Sequence, residues 1–162
     1  FNDKDDLINS IIELKVQMDS AITENCTAIS ENAIDSLINV SKLIVEHFKN
    51  VNPTVFYDLR KHYPTAWNIL YSHKWNFVRN IIKCNIERGI SEGIYRANLQ
   101  PNIIANLYVS ATDSMMDPTI FPWPAYKLEE VVKEVIFLHL YGMSNDQGRI
   151  YLKTKITDNA IN

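Results

Sequence analysis

None of the six prolines interrupts an amphipathic run; each lies between two such runs or at the first turn of one. That placement constrains the fold more than any other feature. A proline lacks the N–H that a helix interior needs and clashes with the preceding turn, but it costs nothing at a helix start. Pro53, Pro64 and Pro101 therefore each open a helix, and the stretches they delimit carry apolar residues three and four apart. The first helix is expected over 3–23, with Asp3 as its cap, Asp5 and Asp6 in its first turn, and Leu7, Ile8, Ile11, Ile12 and Val16 along it. Ser30 is read as the cap of a second helix, with the stripe Ile34, Leu37, Ile38, Ser41, Ile44, Val45 and Phe48. Pro53 opens a third. Pro64 opens the longest, over 64–92, and Pro101 another, to about 116. "DPTIFPWP" is a stiff connector that cannot be helical. A helix over 127–141, closed by Gly142, and a short amphipathic piece over 147–155 complete the chain. No strand alternation competes with this reading, and four glycines are too few for a fold of many tight turns. The expectation is an all-α domain of about seven helices.

The 162 residues suit a single domain with its own core, and 46% hydrophobic with 22% charged residues is a folding composition. A net charge of -3 provides no cationic excess for holding nucleic acid. Cys26 and Cys84 have no metal-ligand spacing and read as reduced thiols of a cytoplasmic protein. No apolar run approaches the roughly 18 residues that cross a bilayer, so no membrane partner is expected.

Candidate chemistry is sparse. "GISEG", 89–93, matches the nucleophile-elbow pattern, but a long helix runs into it where the elbow requires a strand. It reads instead as a helix end with Gly93 in the left-handed cap. Asp113 and Asp117 could share one helix face, yet two carboxylates make a weak metal site and Asp117 precedes Pro118. His47, His62, His73 and His139 form no pair at helical spacing, no Glu is followed three residues later by His, and no Gly-rich phosphate loop occurs. No catalytic residue, metal or cofactor is expected, and an enzyme is disfavoured.

Two patterns stand out. Trp67, Tyr71, Trp75 and Val78 share one side of the longest helix, as a packed core or as the wall of an apolar pocket. The helix over 127–141 has an apolar face of Leu128, Val131, Val132 and Val135 opposite Glu129, Glu130, Lys133 and Glu134. In its second half Phe137, Leu140 and Tyr141 are read on the continuation of the charged side, with Leu138 and His139 on the apolar side. A helix that becomes apolar all round is covered twice, and in a domain this small the second cover is a second subunit.

The start of the chain, "FNDKDDL", resembles the end of the DNA-binding region of the tetracycline-repressor (TetR) family, with Phe1, Lys4 and Leu7 at the matching positions. "ERGISEGIYRANLQPNIIANL" is similar to a second landmark of that family, a long helix ending in Gly-x-hydrophobic-Arg before a Pro-started helix; Gly93, Ile94, Arg96, Leu99, Pro101 and Ala105 carry it. "YGMSNDQGRIYL" is similar to the ending of many members. The resemblance implies the ligand-binding and dimerisation domain of a transcriptional regulator, a repressor released by a small apolar ligand. It places a helix-turn-helix domain upstream of Phe1, with residues 1–7 as the junction and Lys4 as a DNA-phosphate contact. It implies a homodimer through the last two long helices, with Leu107, Val131, Phe137, Leu138, Leu140 and Tyr141 at the interface. Operator DNA is then a partner of the intact protein and not of this fragment. The ligand pocket would be lined by Phe48, Trp67, Tyr71, Trp75, Val78, Tyr108, Thr112 and Met115. The alternatives are a helical enzyme or carrier of an apolar small molecule, and a purely structural dimerisation module.

Overall fold

The computed structural model describes residues 1–48, 51–52, 54–122 and 124–157, without the side chains of 47, 48, 156 and 157. Its helices are α1 (Lys4–Ile29), α2 (Ala33–Phe48), α3 (Thr54–His62), α4 (Pro64–His73), α5 (Arg79–Ser91), α6 (Pro101–Met115), α7 (Leu128–Met143) and α8 (Asp146–Thr157). A π-helical segment, Lys74–Val78, joins α4 to α5 without a break, and the Arg79 N–H reaches five residues back to the Lys74 carbonyl. Taking that run as one rod, the described residues form seven helices and no sheet: the fold is all-α.

Local chemistry explains where helices begin and where three expectations fail. The Asp3 carboxylate accepts from the Asp6 N–H at 2.8 Å, the expected cap of α1. The helix does not stop near 23, because nothing before Ser30 disfavours helix strongly enough. Ser30 ends α1 instead of starting α2, its hydroxyl donating to the Cys26 carbonyl at 2.6 Å. The side chain of Asn32 takes over the cap of α2 and accepts from the Asp35 N–H at 3.0 Å. Pro64 and Pro101 open α4 and α6, as their chemistry demands; Pro53 lies outside the described residues. Gly142 does not close α7. The helix passes through it to Met143, and Ser144 caps the end by donating its hydroxyl to the Leu140 carbonyl at 2.7 Å.

One contiguous core is built from Ile34, Leu37 and Ile38 of α2, Ile82 and Ile86 of α5, Ala105, Tyr108 and Met115 of α6, Val131, Val132, Ile136 and Leu140 of α7, and Leu152 of α8. Each such side chain contributes roughly 1.5–3 kcal/mol when fully buried. α1 buries no residue completely and rests on α4 and α2 along one face. Its far end is held by a polar clasp. Arg88 donates to the Ser30 carbonyl at 2.9 Å and to Glu92, while the Glu92 carboxylate accepts from the Ala33 N–H at 2.8 Å. One ion pair thus serves the end of α1 and the start of α2. After α5, Gly93 adopts φ +72 and the chain bends at Ile94 before Tyr95 forms an antiparallel bridge with Ser144. "GISEG" is therefore a helix end. The α8 helix is tied to α2 through Asp35, which accepts from the Tyr151 hydroxyl at 2.5 Å and pairs with Lys155 at 3.2 Å.

Candidate functional site

On the α1-facing side of the rod the structure opens a cleft of about 680 Å³, exposed to solvent along its length. Val16 and Ser20 line it from α1, Thr65, Asn68, Ile69, Ser72 and His73 from α4, and Asn76 and Phe77 from the π-helical segment. Their spacing of three and four puts them on one stripe of each helix. The His73 ring stacks on that of Phe77, with centroids 5.0 Å apart and planes 16° from parallel. Partial burial pushes the His73 pKa down, against the pull of Asp19, so the imidazole is neutral at neutral pH. Asp19 itself pairs with Lys15 at 2.9 Å. Among the described residues, no Lys, Arg, Asp or Glu lines the cleft.

A different environment surrounds Lys74 and Trp75. The Lys74 ammonium pairs with Asp113 of α6 and lies over the Tyr71 and Trp75 rings, 4.9 and 5.8 Å from their centroids. Arg79 donates to Asn106, about two turns earlier along α6. The indole Nε1 of Trp75 is buried and has no hydrogen-bond partner among the described residues. An unmet buried donor of this kind costs about 1–3 kcal/mol.

The eight residues expected to line a pocket are dispersed among these environments. The Phe48 side chain lies outside the described residues. Trp67 is half-buried under the Arg60 guanidinium, 5.8 Å from its ring centroid, and Tyr71 is 47% exposed. Trp75 and Val78 are half-buried, while Tyr108 and Met115 belong to the core. Thr112 turns its hydroxyl back to the Val109 carbonyl at 2.6 Å. None of the other seven lines the cleft. The cleft residues were missed because apolar periodicity was the guide. The signal available was the opposite one: Thr65, Asn68, Ser72 and Asn76 form a stripe of small uncharged polar side chains, where a solvent face would carry Lys and Glu.

At the expected interface, Leu107 of α6 and Leu138 of α7 are 57% and 73% exposed, and Phe137 and Tyr141 are half-buried beside each other, their rings 6.4 Å apart. Val131 and Leu140 are corrections. At 7% and 0% exposure they pack into the chain's own core and offer nothing to a partner. With 100° per residue, Leu140 continues the Val132–Ile136 line and Leu138 faces away, the reverse of the expected assignment. Lys4 is exposed, its ammonium 5.6 Å from the centroid of the Tyr63 ring, and that tyrosine raises its pKa. Asp113 and Asp117 do not converge: the first pairs with Lys74 and the second accepts from the Thr119 N–H and hydroxyl. Among the described residues no group of His, Cys, Asp or Glu could hold a metal ion, and no helix is long and apolar enough to cross a membrane.

Comparison with known proteins yields no family model, no curated protein and no solved structure that matches the chain.

Proposed function

We propose that the chain is the ligand-binding and dimerisation part of a TetR-type transcriptional regulator, a repressor released by a small apolar molecule. The observation that carries this reading is the apolar outer surface of α6 and α7. Ile103 and Leu107 on one helix and Leu138 on the other stand in solvent, with Phe137 and Tyr141 alongside. These are the two helices that the resemblance assigns to pairing, and a two-fold contact covers both copies of such a surface at once. Further support comes from the turn at Gly93–Arg96 leading to a helix opened by Pro101. The buried donor of Trp75 is the group that an acceptor on an otherwise apolar ligand would meet.

The decisive experiment combines mass and gene. Light scattering at micromolar concentration is expected to give twice the mass of one chain, and the coding sequence upstream of Phe1 is expected to encode a helix-turn-helix. A monomer, or a stop codon upstream with its own start at Phe1, overturns the reading. In the intact dimer two reading helices would stand about 34 Å apart, one turn of duplex. The second reading, a structural pairing module with a filled core, is favoured by the burial of Tyr108 and Met115, both expected at the pocket wall. A dimer with no upstream helix-turn-helix would support it.

A further inference from the structure

We propose that the cleft between α1 and α4 is a binding site for an uncharged, planar molecule bearing an amide or similar hydrogen-bonding group. The site is read from the cleft itself and stands whether or not the chain regulates transcription. Its volume of about 680 Å³ is open to solvent over most of its boundary, so the cleft would cover one face of a small molecule and not enclose it. Its surface combines two chemistries. Ile69, Phe77 and the imidazole stacked on Phe77 provide a flat apolar wall. Asn68, Ser72 and Asn76 provide side-chain donors and acceptors at the rim, and none of these three side chains is hydrogen-bonded among the described residues.

The charge class follows from what the lining contains. No lining side chain carries formal charge at neutral pH, because His73 is held neutral and Asp19 behind it is paired with Lys15. A carboxylate or an ammonium entering the cleft would lose water and gain no counter-charge, whereas an amide exchanges water for Asn and Ser partners. The backbone adds a separate indication. Asn76 and Phe77 belong to the π-helical segment, and such turns are uncommon within helices and frequent at functional sites.

The test uses the full 162-residue chain and four compounds of one shape: benzamide, benzoate, benzamidine and ethylbenzene. Binding is read from the ring signals of His73 by NMR, assigned by their loss in His73→Gln. Benzamide is expected to move them saturably with a Kd of about 1 mM, the range open to so small a molecule. Benzoate, benzamidine and ethylbenzene should each bind at least about fivefold more weakly, a difference of about 1 kcal/mol. Ser72 is exposed, so Ser72→Trp should fill the cleft without unfolding the chain, checked by circular dichroism, and weaken benzamide about tenfold. Asn68→Leu, also at an exposed position, should reduce benzamide to the level of ethylbenzene. No saturable movement with benzamide, an equal response to either charged compound, or unchanged affinity in both folded variants would overturn the proposal.

Discussion

Two buried contacts, one steric and one titratable, lead to measurable outcomes. A Cβ on Gly148 would lie 2.1 Å from the Ile94 carbonyl oxygen, a backbone atom that cannot step aside. Gly148→Ala should therefore push α8 off the 94–95 segment and cost about 1–3 kcal/mol. In a domain of this size that corresponds to a fall in Tm of roughly 3–10 °C, visible by calorimetry. Tyr108 sets a pH dependence. Burial pushes its phenol up to about 12. The unfolded chain ionises near pH 10 while the folded chain keeps its proton, so the stability from this group is full below pH 10 and lost as pH rises towards 12. Two pKa units correspond to about 3 kcal/mol. Urea titrations at pH 8 and pH 11.5 should show a loss that is smaller in Tyr108→Phe, and identical losses in both proteins would contradict the assignment.

At the scale of elements, α1 buries no residue completely and so draws on the contacts at its end. Arg88→Ala removes the donor to the Thr27 and Ser30 carbonyls and frees Glu92 from its partner. We expect a loss of about 1–2 kcal/mol and faster hydrogen exchange in α1 than in α5; uniform acceleration across both helices would argue against a local role. Arg88→Lys should not restore it, since a single ammonium cannot reproduce the fork. The starts at Asp3, Pro64 and Pro101 were legible in the sequence, because these residues act through local backbone chemistry, whereas the cap of α2 was read at Ser30 and falls on Asn32. The end at Gly93 was legible too, but those of α1 and α7 were not. α1 runs on past Thr23 to Ile29, where its last carbonyls meet Arg88, 61 residues away from Thr27, and Gly142 stays helical while Ser144 and the 94–95 segment supply the cap and the next contact. The candidate cleft was illegible for a related reason. It is a property of two helix faces brought together, and each face alone reads as ordinary polar surface.

For the whole molecule, the exposures of neighbouring leucines separate folding from association. Leu138→Asp places a charge where the single chain already meets solvent, so it should yield a folded monomer. Leu140→Asp puts an unpaired charge into the core and should unfold the chain. Circular dichroism with light scattering distinguishes the two, and an intact dimer in Leu138→Asp would rule out α7 as the pairing surface. With a net charge of -3, residues 1–162 are expected to give no mobility shift with duplex DNA at physiological salt, and sub-micromolar binding would contradict this. The π-helical segment has a consequence for how such a chain tolerates change in length. One additional residue within a turn advances the angular phase of everything after it by about 100°. The α4 half of the rod can thereby be in phase with α1 and α3 while the α5 half is in phase with α2 and α6. Deleting Asn76, an exposed residue, should not merely shorten the rod. It would leave Ile82, Asn85, Ile86 and Gly89 a quarter-turn out of step with the neighbours that now bury them.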